Sequence, residues 1–481
     1  MFHAQALAPL AWDLGPVPAA AADDVATALQ THEEPQVDDE VQHAAMAGVY
    51  TSGKRLSRLA QLALTAAAVG DRDAAQSFAS RVCAGLAPWL ETSPKASLLV
   101  YDGDAGGVVT RRGRGDEHAD FGNGKYNDHH FHYGYLLHAA AVCLRFGGHV
   151  EAKSIAAVAL DVVNVAGRER WLSDATDDRF YAKRSGFLPL ARHKDFYDGH
   201  SWASGLFSLA DGKSQESVSE ALNCYYGAAL LGSVQADAEL RDFSRLLLAL
   251  ETRAAKHYWH IDDTTTYPEP FASNGIVAVV GASDASKFTW FGGDAAYAHL
   301  INALPFTPAS IDLLAPAAYV AKAAKLAADG LPDALGVRDP GAPPPPTNAA
   351  VPGDPYDALQ GPWRGLLSQL VAVVNASAAY DDARALAAAK APPKLDATQS
   401  LPAMLYWAAT RRPQKGWISW ATWQDPMQPA APEAPAPETP APEAAPAGGD
   451  ASCASRAACA SAGLVGDCCP TEAGVVLGCC D

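Results

Sequence analysis

Segments with apolar residues at helical spacing recur along most of this chain, whereas strand-like alternation is scarce. In residues 53–69 leucine and alanine return every three or four positions, and Gly70-Asp71 separates this segment from a second helix at 72–91. Further helices are predicted near 130–146, 150–166, 216–232, 236–257, 293–303, 315–329, 355–377, 379–390 and 400–410. Strands are predicted at 98–101 and 276–280. About twelve helices in pairs, without a fixed repeat length, favour an all-α toroid of helical hairpins over an open solenoid.

The composition argues against several classes of binding partner. The 481 residues are 49% hydrophobic and carry a formal charge of −18, which argues against nucleic acid and anionic membranes as partners. Solubility explains this charge at least as well as a neutral substrate does. Because no run of about 18 apolar residues lacks charges, we expect no membrane insertion. The first residues lack the basic region of a signal peptide.

The chain divides by composition into four parts. Residues 1–45 form a lead-in rich in Ala, Pro and acidic residues, and 46–423 contain the helical pairs. Residues 424–450 are a flexible Pro-rich linker with Ala and Glu, in which proline favours the extended polyproline II conformation. Residues 451–481 form a small module rich in cysteine.

Cysteines are concentrated at the end of the chain. Six of the nine lie within the last 28 residues (Cys453, Cys459, Cys468, Cys469, Cys479 and Cys480), which indicates a disulfide framework and an oxidising compartment. Zinc is the alternative, but adjacent Cys-Cys pairs do not match the usual Cys-x-x-Cys spacing of zinc ligands. The isolated residues Cys83, Cys143 and Cys224 are predicted to be buried free thiols.

Residues 126–135 (Tyr-Asn-Asp-His-His-Phe-His-Tyr-Gly-Tyr) crowd four aromatic rings, three histidines and one carboxylate into ten positions. Sugar-binding sites combine aromatic rings with carboxyl groups in this way. Asp128 and His132 would share a helix face, and burial among aromatic rings would raise the pKa of Asp128 as a general acid requires. The alternative is that Asp128 caps a helix and the histidines are core polar groups.

A second acidic cluster surrounds residues 211–223. Ser214 is a plausible N-cap, which would place Glu216 in the first helical turn, where the dipole favours an ionised carboxylate suited to a general base. Glu220 follows four residues later on the same face. An ordinary acidic first turn is the simpler explanation of these two residues.

Further aromatic and polar residues are candidates for substrate binding. The segment 198–205 combines Asp198, His200 and Trp202 with small residues, and 287–292 adds Trp290. Tyr50 and Lys54 open the first clear helix and could face the same cleft. Taken one at a time, these segments are also compatible with simple packing.

A metal or cofactor site is not predicted. Asp128, His130 and His132 could chelate, but on a helix His130 lies off the face of the other two. His-Glu-x-x-His, phosphate-binding glycine motifs and the Gly-x-Ser-x-Gly elbow of serine hydrolases are all missing from the sequence.

In combination these motifs resemble glycoside hydrolase family 81, the endo-β-1,3-glucanases. The similarity covers roughly residues 46–410 and includes Tyr126–Tyr135, the Gly-His-Ser-Trp-Ala-Ser-Gly stretch at 199–205, and Gln215–Tyr226. Downstream, Thr-Trp-Phe at 289–291 and Leu-Pro-Phe-Thr-Pro at 304–308 complete the pattern. Family members usually carry a β-sandwich domain before the toroid, so we expect this chain to be a reduced or incomplete form.

The resemblance implies an (α/α)6 toroid that hydrolyses β-1,3-glucan with inversion, with Asp128 as general acid and Glu216 as general base. Such a pair is expected about 6.5–9.5 Å apart, which leaves room for a water molecule. It further implies supporting roles for Glu220 and His132 and cleft positions for Tyr50, Lys54, Asp198 and His200. We predict that these four bind substrate together with Tyr126, His130, Trp202 and Trp290.

Two other functions remain open at this point, a non-catalytic β-glucan-binding protein and a metal-dependent hydrolase on a helical toroid. We expect a monomer without cofactor, located outside the cell or in the cell wall, because the cysteine-rich module indicates an oxidising environment.

Overall fold

The computed structural model describes residues 6–31, 37–90, 97–164, 188–207, 212–329, 355–388 and 395–411, together with Ser452 and Ala457. The predicted linker and, apart from those two residues, the cysteine-rich module lie outside the described residues. The elements below all belong to one compact unit, Met1–Asp425.

Helices make up most of this unit. They are α1 (Ala19–Thr31), α2 (Val37–Ala68), α3 (Arg72–Leu90), α4 (Arg111–Gly115), α5 (His129–Arg145), α6 (Ala152–Val162), α7 (Val218–Val234), α8 (Ala238–Tyr258), α9 (Ala295–Ile301), α10 (Ser310–Leu313), α11 (Ala317–Asp329), α12 (Pro355–Val371), α13 (Ala376–Ala387) and α14 (Leu401–Arg411). Two 3₁₀ segments, Ala119–Lys125 and Phe271–Asn274, lie between them. Within the described residues, none of these helices is both long and apolar enough to cross a membrane.

Helices that follow one another pack as pairs, and the pairs close into a ring. Helix α2 packs on α3, α7 on α8 and α13 on α14, while α14 returns to contact α1 and α2. The predicted all-α toroid is therefore confirmed. Its cause is the apolar face that each hairpin must bury against its neighbours.

Helices α5 and α7 lie in the interior of this ring. Every residue from His129 to Cys143 and from Val218 to Gly232 is buried. A helix that is buried on all sides needs neighbours that approach closely. Any side chain at Gly134 would collide with the backbone of Cys224, and one at Gly227 would collide with the backbone of His138. These two glycines therefore allow α5 and α7 to pack backbone to backbone.

Short strands join the helices at one end. Strands β1 (Leu99–Asp102) and β2 (Gly107–Thr110) form an antiparallel hairpin, with Leu99 opposite Thr110. A second sheet has the order β3 (Ser214–Gln215), β4 (Val279–Gly281) and β5 (Ala285–Ser286). The predicted strand at 98–101 is confirmed, whereas the strand predicted at 276–280 is limited to β4.

The start of α7 differs from the prediction. Ser214 was expected to cap this helix, but it lies in β3, where it is paired with Gly281 of β4. The helix begins at Val218, with Ser217 at the N-cap position. Glu216 therefore precedes the helix and is not in its first turn. Ser214 pairs with a strand that is distant in sequence and does not cap the helix. The sequence around residue 214 does not by itself indicate this pairing.

The prediction of free thiols is wrong for two of the three isolated cysteines. Cys83 of α3 and Cys143 of α5 form a disulfide, with a Cα–Cα distance of 5.3 Å. Their 60-residue separation concealed a pairing that follows from the contact between α3 and α5. Cys224 is free and buried, as predicted.

A fully buried carboxylate ties α6 to α5 and to the segment before residue 200. Asp161 lies 2.9 Å from Arg192 Nη2 and 2.7 Å from His129 Nδ1, and it accepts a hydrogen bond from the Val108 amide. Burial alone would raise the pKa of Asp161, but Arg192 and His129 together lower it to about 2. Asp161 is therefore an ionised anchor inside the fold.

Removing the disulfide should destabilise the fold. We expect Cys83→Ala with Cys143→Ala to lower the free energy of unfolding by about 2–4 kcal/mol, because the unfolded chain loses a 60-residue loop constraint. Denaturant unfolding with and without dithiothreitol measures this effect. Reductant should weaken the wild-type protein and leave the double variant unchanged. Equal midpoints for wild type with and without reductant would contradict the assignment.

Asp161 should make stability depend on pH in acid. Its folded pKa lies below that of an unfolded aspartate, so its contribution of about 2 kcal/mol is complete above about pH 4 and is lost as pH falls towards 2. We expect Asp161→Asn to abolish this part of the pH dependence and to cost about 3–5 kcal/mol, since the Arg192 side chain, only 13% exposed, loses its buried partner. Urea unfolding between pH 2 and 5 measures both effects.

The matched control is Asp312→Asn, which breaks a half-exposed ion pair with Lys256 and should change stability by less than about 1 kcal/mol. An Asp161→Asn protein with the same acid sensitivity as wild type would show that Asp161 does not act as an ionised anchor.

Candidate active site

A cleft of about 600 Å³ opens at the ends of α5 and α7. It brings together seven of the predicted site residues, which are Tyr50, Lys54, Asp128, His132, Glu216, Glu220 and Trp290. Its walls are otherwise mostly aromatic and aliphatic, contributed by Phe121, Phe131, Phe207, Phe291, Ile301, Leu304 and Trp363. Four carboxyl groups, those of Asp128, Glu216, Glu220 and Asp396, on a largely apolar wall suit a neutral polar ligand with apolar faces, such as a sugar.

Asp128 occupies the residue before α5 in a strained conformation. Its φ of 57° lies in the left-handed region, which non-glycine residues seldom adopt. The side chain makes no cap hydrogen bond to the helix; instead its Oδ2 accepts one from Asn127 Nδ2 at 2.9 Å. Burial, reinforced by the charges of Glu216 and Glu220, raises the pKa of Asp128 well above its usual range. This carboxyl group is thus suited to hold a proton near neutral pH.

The backbone of Asp128 is fixed by the segment 203–206. The Asp128 amide donates to the Ala203 carbonyl at 2.9 Å, and the Leu206 amide donates to the Lys125 carbonyl at 2.6 Å. Gly205 has no room for a side chain because the backbone from Lys125 to Asn127 lies directly against it. This requirement explains why glycine ends the Gly-His-Ser-Trp-Ala-Ser-Gly stretch.

That segment is anchored at its other end by a buried ion pair. Lys194 and Glu251 are both fully buried, with 2.6 Å between Nζ and Oε2. Glu251 also accepts hydrogen bonds from the amide and hydroxyl of Ser201. The wall of the cleft that holds Asp128 is therefore attached to α8 through Glu251.

Glu216 lies between β3 and α7, with its carboxylate in the cleft. Oε1 accepts a hydrogen bond from the Trp290 amide at 2.7 Å, and the Glu216 carbonyl accepts one from Trp259 Nε1 at 3.1 Å. The helix dipole was expected to favour the ionised form. Instead burial, opposed by the Trp290 amide and assisted by Glu220, raises the pKa of Glu216 to about 7. Near neutral pH this group can therefore both accept and release a proton.

Glu220 is the most deeply buried carboxylate of the cleft, at 2% exposure. Its Oε1 accepts hydrogen bonds from Tyr50 Oη at 2.8 Å and Tyr135 Oη at 2.7 Å. Burial raises the pKa of Glu220, although Lys54 and the tyrosine hydroxyls oppose the shift. Because its oxygens are engaged by protein donors, Glu220 is better placed to orient its neighbours than to meet a ligand.

Asp396 was missed by the sequence analysis. It lies just before α14, lines the cleft, and forms a 3.0 Å ion pair with Lys54. Burial raises the pKa of Asp396, but Lys54 and Thr398 outweigh it, so that the net shift is downward. The only local signal is the Asp-Ala-Thr sequence, in which Thr398 donates to the preceding carboxylate, and such turns are common.

The three histidines of the opening cluster face different surroundings. His132 lines the cleft beside Tyr50, with a ring separation of 5.3 Å. His129 contacts Asp161, and His130 stacks on His193 at 4.3 Å between ring centroids. Burial lowers the pKa values of His130 and His132 well below their usual range, so both are neutral. Across the described parts of the chain, no three His, Cys, Asp or Glu side chains are arranged to hold a metal ion.

Five of the predicted substrate-binding residues lie outside the lining of this cleft. Tyr126 packs under Arg192 and donates to Asp102. His130 is a buried residue of α5, and its Nε2 lies 3.2 Å from Gln215 Oε1. Asp198, His200 and Trp202 border a neighbouring hollow of about 620 Å³ together with Tyr258 and Tyr267. Their roles in binding stay predictions.

An aromatic rim completes the cleft. The side chain of Trp290 is 67% exposed, and Phe121 opposite Tyr50 is 62% exposed. Phe291 stacks on Trp363 at 5.7 Å. Trp290 lies in the cleft as predicted, whereas Phe121 and Trp363 were not predicted, since neither belongs to a recognisable motif.

Similarity to known proteins points to one family. Residues 18–329 match the model of the Glycosyl hydrolase family 81 C-terminal domain. The chain is 32% identical over 277 residues to the Primary septum glucan endo-1,3-beta-D-glucosidase of Schizosaccharomyces pombe, a match that covers 57% of this chain and 26% of that protein. It is also 32% identical over 247 residues to a Glucan endo-1,3-beta-D-glucosidase of Glycine max, covering 50% of this chain and 35% of the relative.

The matched region is thus about a quarter to a third of these relatives' length. Among solved structures, a glycoside hydrolase family 81 protein from Clostridium thermocellum superposes with a TM-score of 0.59 at 23% identity, covering 85% of this chain and 50% of that one. This likeness supports the toroid fold. Because the family model matches well over half of the residues, the chain belongs to glycoside hydrolase family 81.

Proposed function

We propose that this protein is an inverting endo-β-1,3-glucanase with Asp128 as general acid and Glu216 as general base. The observation that carries the proposal is the pair itself. Two carboxyl groups line one cleft, each has a raised pKa, and each is held by a different set of donors. Pairs of acids whose environments differ in this way are typical of glycoside hydrolysis.

The substrate class is supported by the relatives and by the cleft walls. The two relatives above are named glucan endo-1,3-beta-D-glucosidases. The exposed ring of Trp290 and the stacked pair Phe291–Trp363 offer apolar surfaces to pyranose rings. Lys54 is the one Lys or Arg among the lining residues, which favours an uncharged glycan over an acidic one.

The chemistry then needs no covalent intermediate. Asp128 donates its proton to the glycosidic oxygen as the bond from that oxygen to C1 breaks. Glu216 accepts a proton from a water molecule, whose oxygen forms the new bond to C1 from the opposite face. The anomeric configuration is inverted, and Asp128 and Glu216 exchange their protonation states before the next turnover.

Supporting roles follow for the buried residues. Glu220, held by Tyr50 and Tyr135, adds negative charge beside Asp128 and thereby favours its protonated form. Lys54 and Asp396 neutralise each other in the lining of the cleft, and the Lys54 ammonium lies over the face of the Tyr50 ring, 5.1 Å from its centroid. His132, neutral and beside Tyr50, can donate or accept a hydrogen bond to a sugar hydroxyl.

We also propose an extracellular or cell-wall location, a monomer, and a reaction without metal or other cofactor. The Cys83–Cys143 disulfide supports an oxidising compartment. The net charge of −18 disfavours nucleic acid as a partner.

Replacing either carboxyl group should abolish most of the activity. We expect Asp128→Asn and Glu216→Gln each to lower kcat on laminarin by at least about 10²–10⁴-fold, because each removes one proton transfer. Reducing-end release measures this, with exposed Asp263→Asn as the control that keeps wild-type activity. On an aryl laminari-oligosaccharide with an acidic phenol, Asp128→Asn should lose much less, since that leaving group departs without a proton.

Full activity in either variant on laminarin would reject the assignment. If the wild-type protein binds laminarin but releases no reducing ends, the protein is a glucan-binding protein and not an enzyme. Proton NMR of the first products settles stereochemistry separately: inversion requires new reducing ends of α configuration before mutarotation, and β configuration would contradict it.

The pH profile should carry the signature of the pair. Glu216 must be ionised, so kcat/KM should fall as pH drops through a value near 7. Asp128 must be protonated, so kcat/KM should fall again at higher pH. Because the two groups interact, the midpoints belong to the pair as a whole. A flat profile between pH 5 and 7 would contradict the role of Glu216.

A further inference from the structure

The loop between β5 and α9, residues 287–294, contacts Glu216 through a backbone group. Among the described residues, the Trp290 amide is the one hydrogen-bond donor that reaches the Glu216 carboxylate, at 2.7 Å from Oε1. Oε2 makes no hydrogen bond to any described residue and belongs to a side chain that lines the cleft. The two oxygens therefore differ, because one is held by the protein and the other is available to a water molecule.

The Glu216 main chain is held independently. Its carbonyl accepts a hydrogen bond from Trp259 Nε1, and Gln215 pairs with Val280 in the small sheet. These contacts fix where the side chain starts. The direction in which the carboxylate points is left to the Trp290 amide, since no other described group restrains it.

The loop itself is braced on both sides of Trp290. Thr289 donates from its amide at 3.0 Å and from its hydroxyl at 2.7 Å to the Gly292 carbonyl, which forms a closed clip around Trp290 and Phe291. Ser286 Oγ bonds to both the amide and the carbonyl of Phe288 at 3.0 Å. Thr289 is buried, so its hydroxyl is directed inward and away from any ligand.

The far side of the loop rests on aromatic packing. Phe291 stacks on Trp363 and contacts Tyr297, and Gly292 lies so close to the Tyr297 ring that a side chain there would collide with it. Trp290 is the most exposed of the three aromatic residues in this loop, at 67% against 52% for Phe288 and 43% for Phe291. A braced loop that presents the Trp290 amide to Glu216 and the Trp290 ring to solvent can serve two purposes at one residue.

We infer that the Trp290 amide is the positioning group of Glu216, that the Thr289 clip holds it in place, and that the Trp290 ring on the same residue binds sugar. This inference rests on the proposed function and adds a residue pair to it. Glu216 meets the attacking water through Oε2, while Thr289 and the Trp290 amide act through Glu216 and touch no reacting atom.

Two consequences separate positioning from simple structural support. A hydrogen bond to the ionised carboxylate stabilises that form, so its loss must raise the proton affinity of Glu216 and move the acid limb of the activity profile upward. A misdirected base also slows the chemical step without weakening binding, so kcat should fall while KM stays constant.

The test compares Thr289→Val with Thr289→Ser in the full chain, using laminarin and kcat/KM profiles from pH 5 to 9. Valine keeps the shape of threonine and removes the hydroxyl of the clip. We expect its acid limb to move upward by about 0.5–1 pH unit and kcat to fall by about tenfold, with KM within about twofold of wild type. Serine retains the hydroxyl and should restore the wild-type profile.

A second pair isolates the amide. Trp290→Ala removes the ring and keeps the amide, so KM should rise by about tenfold with the acid limb unchanged. Trp290→Pro removes both the ring and the amide hydrogen. We therefore expect the same rise in KM together with an upward shift of the acid limb. Thermal unfolding of each variant identifies any that fail to fold, and the threonine pair carries the test if proline is not tolerated.

The outcomes distinguish this inference from the proposed function. If the acid limbs of Thr289→Val and Trp290→Pro lie at the same pH as the acid limb of Trp290→Ala, the Trp290 amide does not position the base. Glu216 would still be the general base in that case. If the acid limb persists in the residual activity of Glu216→Gln, it does not report on Glu216, and the general-base assignment fails together with this inference.

Discussion

The close approach of α5 and α7 is the constraint on which the site depends. Gly134 and Gly227 let the two helices touch backbone to backbone, and the candidate acid and base each stand just before one of these helices. Asp128 and Glu216 therefore occupy positions set by packing inside the ring and not by flexible loops. Because interiors are close-packed, a change at either glycine would move both carboxyl groups.

Placing Asp128, Glu216 and Glu220 in one cleft, beside Asp396, works against folding, because like charges in a low-dielectric site repel. Each carboxyl group is stabilised by different hydrogen-bond donors. Asp128 accepts from the Asn127 side-chain amide, and Glu216 accepts from a backbone amide. Glu220 accepts from two tyrosine hydroxyls and lies near Lys54. Asp161 and the α3–α5 disulfide hold α5, and Glu251 holds the segment that fixes the Asp128 backbone. None of these stabilising residues is among those that line the cleft.

Helix periodicity was sufficient for the toroid, since the predicted helices occur in the predicted order, most with ends shifted by a few residues. Helix α2, however, begins at Val37 and not at 53, and the short helices α4 and α10 were not predicted. Sequence motifs also identified most polar residues of the cleft. Local motifs did not predict features that depend on contacts between distant residues. Pairing of β3 with β4 shifts the start of α7, and Cys83 forms a disulfide with Cys143, 60 residues away. Likewise, Asp396 forms an ion pair with Lys54 although the two lie near opposite ends of the domain in sequence. The motifs also do not show which residues of the 126–135 cluster face the cleft. Tyr126 and His130 were predicted to do so, but neither is among the lining residues.

By itself the sequence determined the helical architecture and pointed to two carboxyl groups, Asp128 and Glu216, that line the same cleft, because apolar spacing and dense motifs are local properties. The tertiary structure alone decided their chemistry. The pKa of Glu216 is raised to about 7, contrary to the expectation from its place in the sequence, because burial outweighs the single amide that Trp290 supplies. The proton affinity of a group depends on its surroundings in three dimensions. For Glu216 these include the Trp290 amide, which lies 74 residues away in sequence.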